Sequence, residues 1–300
     1  MTKQAESVGI SIIIGLGASP GITNLLAVLA ASKLDEVDTV ITAWGESINI
    51  KEGKKPKHYI AGKQLKKKLG SGRKQANAAI IHWLYETLEK IPTYLNGETV
   101  EIESLTETEP FDFPGYKSMY ACHIGHPEPV TLPRTIKALT ISNVMYVGET
   151  LTGLLRNYRA KILKNQMSIE AAAFALEEDI KRITKRAMMG QAPLKEYLGG
   201  PPMLSTIAFG KKNGKKMKVS VALARNPYGE MAGVTGVPLA IGALMIVEGK
   251  IKKNGVLCPE EAVDPWDFFS KLAPYCGKSK AEDILIIRED EIKFINNILM

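Results

Sequence analysis

Apolar and polar positions in the first 46 residues predict a strand, a glycine-rich turn, a helix and a second strand. Residues 10–14 are nearly all isoleucine, and a second apolar run at 37–44 ends at Gly45. Between them, residues 22–32 follow the helical period. The turn at 15–24 is Gly-Leu-Gly-Ala-Ser-Pro-Gly-Ile-Thr-Asn. This order of elements is the outline of a phosphate-binding βαβ unit.

The glycines of this turn match the dinucleotide fingerprint only in part. Gly15 and Gly17 take the first two positions, but the third falls on Pro20, and Gly21 comes one residue late. Proline can begin a helix, yet it does not give the close helix–strand packing that the third glycine supplies. Glu46, the candidate ribose-binding acid, lies farther along than the usual spacing of about 20 residues. A nucleotide-binding loop remains one hypothesis.

Farther along, the pattern predicts helices and two hairpins. Asn-Gly pairs at 96–97 and 213–214 favour tight turns between alternating strands. Ser168 is the expected cap of a long amphipathic helix. The predicted strands are 93–95, 99–102, 136–146, 205–209 and 217–225, and the predicted helices are 22–32, 75–90, 150–158, 168–188 and 231–247.

The stretch at 231–247 is apolar on all sides and rich in small residues. It is shorter than the roughly 20 residues that a membrane span needs, so we expect a buried helix and no membrane association. Its glycines, Gly233, Gly236 and Gly242, would let another helix or a ligand approach closely.

Composition is that of a globular protein, with 45% hydrophobic and 24% charged residues among 300. Much of the net charge of +7 comes from residues 51–74, which hold ten Lys or Arg against the single acid Glu52. No aromatic residues alternate with these charges as in a nucleic-acid surface. We therefore interpret the run as a solvated face or loop and expect no nucleic-acid partner.

Cysteine usage points to a reducing compartment. Cys122, Cys258 and Cys276 are few, odd in number and far apart, which argues against a disulfide framework or a cysteine-based zinc site. The polar residues at 1–7 lack the layout of a signal peptide. We therefore expect a cytoplasmic protein.

A polar cluster at 122–134 holds the best candidate chemistry. His123, His126 and Glu128 are ligand types for a metal, but the glycine and proline among them make a turn rather than one helical face, so no metal is expected. His126 and Glu128 could instead hydrogen-bond or exchange protons with a ligand. Arg134 could hold a carboxylate with two hydrogen bonds. The alternative is a structural turn whose polar groups satisfy one another.

Six stretches in order resemble the saccharopine dehydrogenase-like family, in the part that follows its nucleotide-binding domain. Members of this family oxidise or reduce a C–N bond with NAD(P), in saccharopine formation, lysine dehydrogenation and carboxynorspermidine synthesis. In such proteins a loop like 15–24 lies where the chain leaves the Rossmann domain. The resemblance therefore implies that most of the Rossmann domain is missing here. The stretches are 15–24, 96–98, 113–114, 125–134, 231–238 and 255–265.

The family fold implied by the resemblance is α+β. It is a mixed, largely antiparallel sheet with helices mainly on one face, like the C-terminal domain of glyceraldehyde-3-phosphate dehydrogenase. A residual strand, loop and helix of a Rossmann domain would occupy residues 1–35. The substrate and dimerisation domain would then span 36–300, and its sheet would form a homodimer.

Site residues also follow from the resemblance, position by position, and no residue is assigned as catalytic. NAD(P) would be bound mainly by the missing domain or by a partner chain. Residues that would border its nicotinamide end are Gly17, Ser19, Pro20, Gly21 and Asn24. Residues that would lie near the substrate are His126, Glu128, Arg134, Glu230 and Thr235.

Three functions stay open at this point. The chain could be an oxidoreductase subunit for a small amino-acid or polyamine substrate, working with a separately encoded Rossmann chain. It could be a non-catalytic relic that keeps the fold as a binding or dimerisation module. It could also be a self-sufficient enzyme that uses the loop from Gly15 to Gly21 for its nucleotide.

Overall fold

The computed structural model describes residues 1–46, 76–188 and 198–292, without the side chains at 187, 188 and 230. The basic run at 51–74 lies outside these ranges. Within them the helices are α1 (Thr2–Ser7), α2 (Ile22–Ala31), α3 (Ala78–Leu88), α4 (Glu128–Thr131), α5 (Gly148–Leu163), α6 (Ile169–Met188), α7 (Glu230–Val247), α8 (Pro259–Ala262) and α9 (Pro265–Leu272). The strands are β1 (Ser11–Ile13), β2 (Glu36–Gly45), β3 (Lys90–Leu95), β4 (Glu98–Glu103), β5 (Cys122–His123), β6 (Thr140–Tyr146), β7 (Leu204–Lys212), β8 (Lys215–Leu223), β9 (Gly255–Leu257) and β10 (Leu285–Glu291).

The main sheet of the described residues has eight strands in the order β10-β8-β7-β2-β6-β3-β4, with β5 beside β6. Only β2 and β6 pair in parallel, and the other pairs are antiparallel. This is the mixed, largely antiparallel sheet that was predicted.

Both predicted Asn-Gly turns are present. Asn96 and Gly97 join β3 to β4 with φ of 53° and 85°, and Asn213 and Gly214 join β7 to β8 with φ of 51° and 75°. Two consecutive positive φ angles give a turn whose twist matches that of the flanking strands. The local sequence therefore sets the register of both hairpins.

One face of the sheet packs against helices. Val40 of β2, with Val219 and Val221 of β8, joins a buried core formed with α2, α7 and α9. Side chains alternate along a strand, so the next residues, Ala43 and Ala222 among them, point to the opposite face. That face is covered by the irregular segment at 111–121, through Phe111, Phe113 and Met119.

A third cluster lies at the end of β6. Helices α3, α5 and α6 bury Leu84, Leu155 and Leu176 against one another and against Met145. Ser168 accepts a hydrogen bond from the backbone N–H of Ala171, which confirms its predicted role at the start of α6. Because α3 is fixed in this cluster, its last turn is held beside β5 and the chain that follows it.

A second, two-stranded sheet stands apart from the main one. Strand β1 pairs in parallel with β9, and the N–H of Ile14 donates to the carbonyl of Leu257. In contrast, α2 packs into the core of the main sheet. The boundary at residue 35 and the residual Rossmann piece stay predictions.

The stretch at 231–247 is helical as predicted, but its expected burial is wrong. Val234, Ile241 and Met245 are each 1% exposed, and the opposite face of α7 is open. The large apolar side chains on that open face are Met231, Leu239, Leu244, Ile246 and Val247. An all-round apolar composition predicts burial on every side, whereas the described residues cover only one side.

Two of the three predicted glycines of α7 accept close neighbours from this same chain, whereas the prediction is wrong for Gly236, which has no atom within 4 Å of an added Cβ. A Cβ added to Gly242 would lie 2.3 Å from Leu16 Cδ2, and one added to Gly233 would lie 2.0 Å from the Tyr228 carbonyl oxygen. Leu16 therefore occupies a notch in α7 that only glycine leaves open.

None of the helices described is both long enough and apolar enough to cross a membrane.

Two glycine-to-alanine substitutions are expected to change stability in opposite directions. At Gly45 an added Cβ would lie 2.1 Å from the Tyr146 carbonyl oxygen, so Gly45→Ala should lower the free energy of unfolding by about 1–3 kcal/mol. Gly153 lies inside α5 with no atom within 4 Å of an added Cβ. Gly153→Ala should therefore raise the free energy of unfolding by about 0.5–1 kcal/mol. Urea denaturation measures both, and equal effects of the two changes would contradict the close β2–β6 approach.

Candidate functional site

The site is built around the loop at 17–21, which closes on itself before α2. The N–H of Gly17 donates to the Pro20 carbonyl at 2.9 Å, and the Ser19–Pro20 peptide bond is cis. Gly21 has φ of 124°, and a Cβ there would lie 2.3 Å from the Gly17 nitrogen and oxygen. Only glycine fits this close approach. The loop thus presents Ser19 toward the chain that precedes α4.

Backbone amides of the loop and of the start of α2 are already used inside the chain. Gly21 N–H donates to Asn24 Oδ1 at 2.8 Å. Ile22 N–H donates to the Gly17 carbonyl at 2.9 Å, and Thr23 N–H to the Ala18 carbonyl at 3.2 Å. A pyrophosphate at a helix start is held by free amides of this kind. These amides are therefore not free to hold a pyrophosphate, which disfavours the self-sufficient nucleotide loop.

A buried carboxylate lies where an anion would otherwise approach α2. Glu128, the first residue of α4, has no solvent exposure. Its Oε1 accepts a hydrogen bond from Ser19 Oγ at 2.5 Å and one from Thr23 Oγ1 at 2.7 Å. Its Oε2 lies 3.3 Å from His126 Nδ1. Two hydroxyls and an imidazole therefore compensate the buried charge.

His126 connects this carboxylate to a second one. Its Nδ1 is 3.1 Å from Ser19 Oγ, and its Nε2 is 3.6 Å from Glu86 Oε1 near the end of α3. Its ring packs beside Trp44, with ring centroids 5.4 Å apart. Because the single proton of Ser19 goes to Glu128, His126 must be the donor in its contact with Ser19. Nδ1 of His126 therefore carries a proton.

Charge pairing sets the protonation of this cluster. Burial alone would lower the pKa of His126, but the charge and hydrogen bond of Glu128, with the charge of Glu86, raise it above 6.5. Burial alone would raise the pKa of Glu128, but His126 and the two hydroxyls lower it below 4.5. Both shifts favour an imidazolium beside a carboxylate.

A second polar cluster holds the other side of α2. Asn24 Nδ2 donates to Glu260 Oε2 at 2.9 Å and to Thr131 Oγ1 at 3.3 Å. Burial raises the pKa of Glu260, against opposing hydrogen bonds from Thr131 and Asn24. Its Oε1 has no hydrogen-bond partner among the described residues. The first turn of α2 is therefore tied to both α4 and α8.

Comparison with known proteins identifies the fold to which this arrangement belongs. The model of the saccharopine dehydrogenase C-terminal domain matches residues 17–277. The chain belongs to this family. The predicted resemblance is thereby confirmed, and the loop at 17–21 begins the matched part of this saccharopine dehydrogenase C-terminal domain.

A solved structure supports the same fold. The chain is similar to apo histidine-tagged saccharopine dehydrogenase (L-Glu forming) from Saccharomyces cerevisiae, with 16% sequence identity and a TM-score of 0.53. The similarity covers 97% of this chain and 76% of the yeast chain. At this identity the likeness concerns the fold, and it confirms the α+β architecture.

Most of the predicted site residues meet around the loop. Ser19, His126 and Glu128 are in direct contact, and Asn24 adjoins them on α2. A Cβ added to Gly17 would lie 3.6 Å from Thr235 Cγ2, which places the start of α7 beside the loop.

Two predicted residues are not part of this group in the structure. Arg134 is exposed, and its Nη1 lies 3.9 Å from Cys258 Sγ. Glu230 begins α7, but its side chain is outside the described residues. The predicted roles of all ten residues toward cofactor and substrate stay predictions.

Sequence reasoning missed Glu86, Thr23 and Glu260. His82 and Glu86 are four residues apart on a predicted helix, a spacing that places both on one face. Thr23 and Glu260 lie inside stretches that carry the family resemblance, yet neither was selected. Among the described residues no group of three or more His, Cys, Asp or Glu side chains is placed to hold a metal ion.

The raised pKa of His126 predicts a pH-dependent stability. Stabilisation by a protonated His126 should be complete below about pH 6.5 and should be lost as pH rises through its higher value in the folded chain. Other buried carboxyls contribute to the slope, so the comparison is between the wild type and His126→Gln. The difference in their free energies of unfolding should shrink as pH rises above about 6.5 in urea titrations. A constant difference would contradict the imidazolium assignment.

Proposed function

We propose that this chain is the substrate-binding and dimerisation part of an NAD(P)-dependent oxidoreductase that acts on a C–N bond of an amino acid or a polyamine. Family membership supports the reaction class. The strongest support from the site is the buried Ser19–His126–Glu128 cluster, which offers an imidazolium, a carboxylate and a hydroxyl at one loop. Such groups can hold and exchange a proton beside a reacting substrate.

The reaction class makes a defined demand on this chain. NAD(P), when bound, supplies the hydride acceptor or donor. Oxidation of a protonated secondary amine breaks one C–H and one N–H bond, and gives an iminium ion, a hydride and a proton. Residues of this chain would position the amine, and Ser19 would take that proton while passing its own to the Glu128 carboxylate. No nucleophile is required of them.

Strand β1 supports the need for a Rossmann domain from a separate chain. Ile10, Ile12 and Ile14 are 51%, 42% and 49% exposed along one face, and β9 pairs with only one edge of β1. Parallel sheets normally have both faces covered and more than two strands. We propose that the parallel sheet of a Rossmann domain continues at this strand, and that it binds the cofactor phosphates which the loop at 17–21 does not fit.

Further features support the remaining parts of the proposal. The open apolar face of α7 supports a homodimer, since large exposed apolar patches mark interfaces.

Cys122, Cys258 and Cys276 are all free and buried. Free thiols support a reducing compartment such as the cytoplasm.

The role of β1 is tested with NADPH binding. The purified chain alone should not bind NADPH, and adding its Rossmann partner should give tight binding. Ile12→Lys places a charge on the open strand and should weaken NADPH binding by the mixture about tenfold or more. The matched control is Leu139→Lys, at an apolar residue 57% exposed before β6, which should bind as the wild type does.

Other outcomes separate the competing functions. NADPH binding by the isolated chain would favour a self-sufficient enzyme. Normal NADPH binding by the mixture with no turnover of any amino-acid or polyamine imine would favour a non-catalytic relic. A Rossmann domain encoded beside this chain is the first partner to use.

A further inference from the structure

A continuous run of titratable side chains leads from the surface to the loop at 17–21. His82 is 76% exposed, and its Nε2 lies 2.9 Å from Glu86 Oε1, one turn farther along α3. The same Glu86 oxygen lies 3.6 Å from Nε2 of His126, whose side chain is 8% exposed. On the other side of the ring, Nδ1 lies 3.1 Å from Ser19 Oγ, which donates to Glu128.

The backbone brings the two halves of this run together. The N–H of Gly125 donates to the Glu86 carbonyl at 3.4 Å. A Cβ at Gly125 would lie 3.0 Å from that same carbonyl oxygen and 3.0 Å from Ile91 Cγ2. Glycine therefore allows the segment before His126 to lie against the last turn of α3. The close approach places the imidazole between two carboxylates that come from different helices.

We propose that His82, Glu86 and His126 form a path that carries protons between solvent and the Ser19–Glu128 pair. His126 releases its Nε2 proton to the Glu86 carboxylate, Glu86 passes a proton to Nε2 of neutral His82, and His82 releases one to water. At the inner end, Nδ1 passes its proton to the Glu128 carboxylate, 3.3 Å away, while Nε2 takes one from Glu86, and the reverse steps carry a proton outward. Each transfer breaks one N–H or O–H bond and forms one, so only a proton moves.

The groups around His126 suit such transfers. Glu86 faces it from α3, Glu128 from α4, Ser19 from the loop and the uncharged Trp44 from β2. Burial raises the pKa of Glu86, against opposing charges on His126 and His82, and Glu128 raises it further. The carboxyl is thereby brought closer to the range of an imidazole, which lowers the cost of a transfer between them. The 3.6 Å step from Nε2 to Glu86 is closed by side-chain rotation.

This path deepens the proposed function. Oxidation of a protonated amine releases one proton at a site that must exclude water, and the path gives that proton an exit. Its use during turnover rests on the proposed function. Its existence does not, because proton exchange can be measured on the chain without substrate or cofactor.

The test is the exchange of the His126 ring protons with water, followed by NMR on the full chain with isotope-labelled histidine. In the wild type we expect fast exchange despite burial of the ring. Glu86→Gln keeps the shape but cannot pass a proton, so exchange should slow by about tenfold or more. His82→Asn should slow it too, because the surface end is removed. The matched control is Glu89→Gln, at an exposed glutamate just after the same helix, which should exchange as the wild type does.

Fast exchange in Glu86→Gln would overturn the path, because protons would then reach His126 by opening of the site. Thermal unfolding of each variant identifies any change in exchange that comes from lost stability. If Glu86→Gln is destabilised, His82→Asn decides, since its site is at the surface. Absence of turnover with normal exchange would count against the proposed function alone.

Discussion

The buried carboxylate of Glu128 is the interaction on which the arrangement of the site depends. An isolated charge inside a protein is costly, so it is tolerated only with several partners. Two partners, Ser19 in the loop and Thr23 in the first turn of α2, lie 109 and 105 residues before Glu128, and the third, His126, lies in the turn just before α4. Satisfying one anion thereby fixes the loop and the start of α2 against the start of α4. Because α2 also packs into the core of the sheet, the site is held to the fold by both polar and apolar contacts.

Local sequence patterns predicted the elements well, because they reflect local causes. The Asn-Gly turns, the start of α6 and the alternating faces of β8 all follow from neighbouring residues. The errors arise where the cause is tertiary. Helix α7 is apolar on every side, and no local pattern reveals which side the chain leaves open. The helix predicted at 75–90 ends at Leu88 as α3, and its last predicted residue already belongs to β3.

In the candidate site too, local sequence features could be predicted and tertiary contacts could not. His126 and Glu128 stand close together in a polar turn, so their chemistry could be predicted from the sequence. Glu86 reaches them only because α3 is pressed against that turn at Gly125, a contact that no spacing in the sequence encodes. Three glutamates of the site then differ in behaviour: the pKa of Glu128 is lowered, whereas those of Glu86 and Glu260 are raised. Environment, rather than residue type, assigns one as a fixed anion and the others as groups that protonate more easily.

The packing of Leu16 into the notch at Gly242 limits where the chain can bend. Three residues farther along the chain, Ser19 donates a hydrogen bond to Glu128. The loop is therefore held at two points, by packing against α7 and by a hydrogen bond to α4. A segment held at both ends cannot serve as the flexible joint between domains. Any opening and closing of a domain joined through β1 must therefore pivot before Leu16, and the loop would move as a rigid part of the body that contains the sheet.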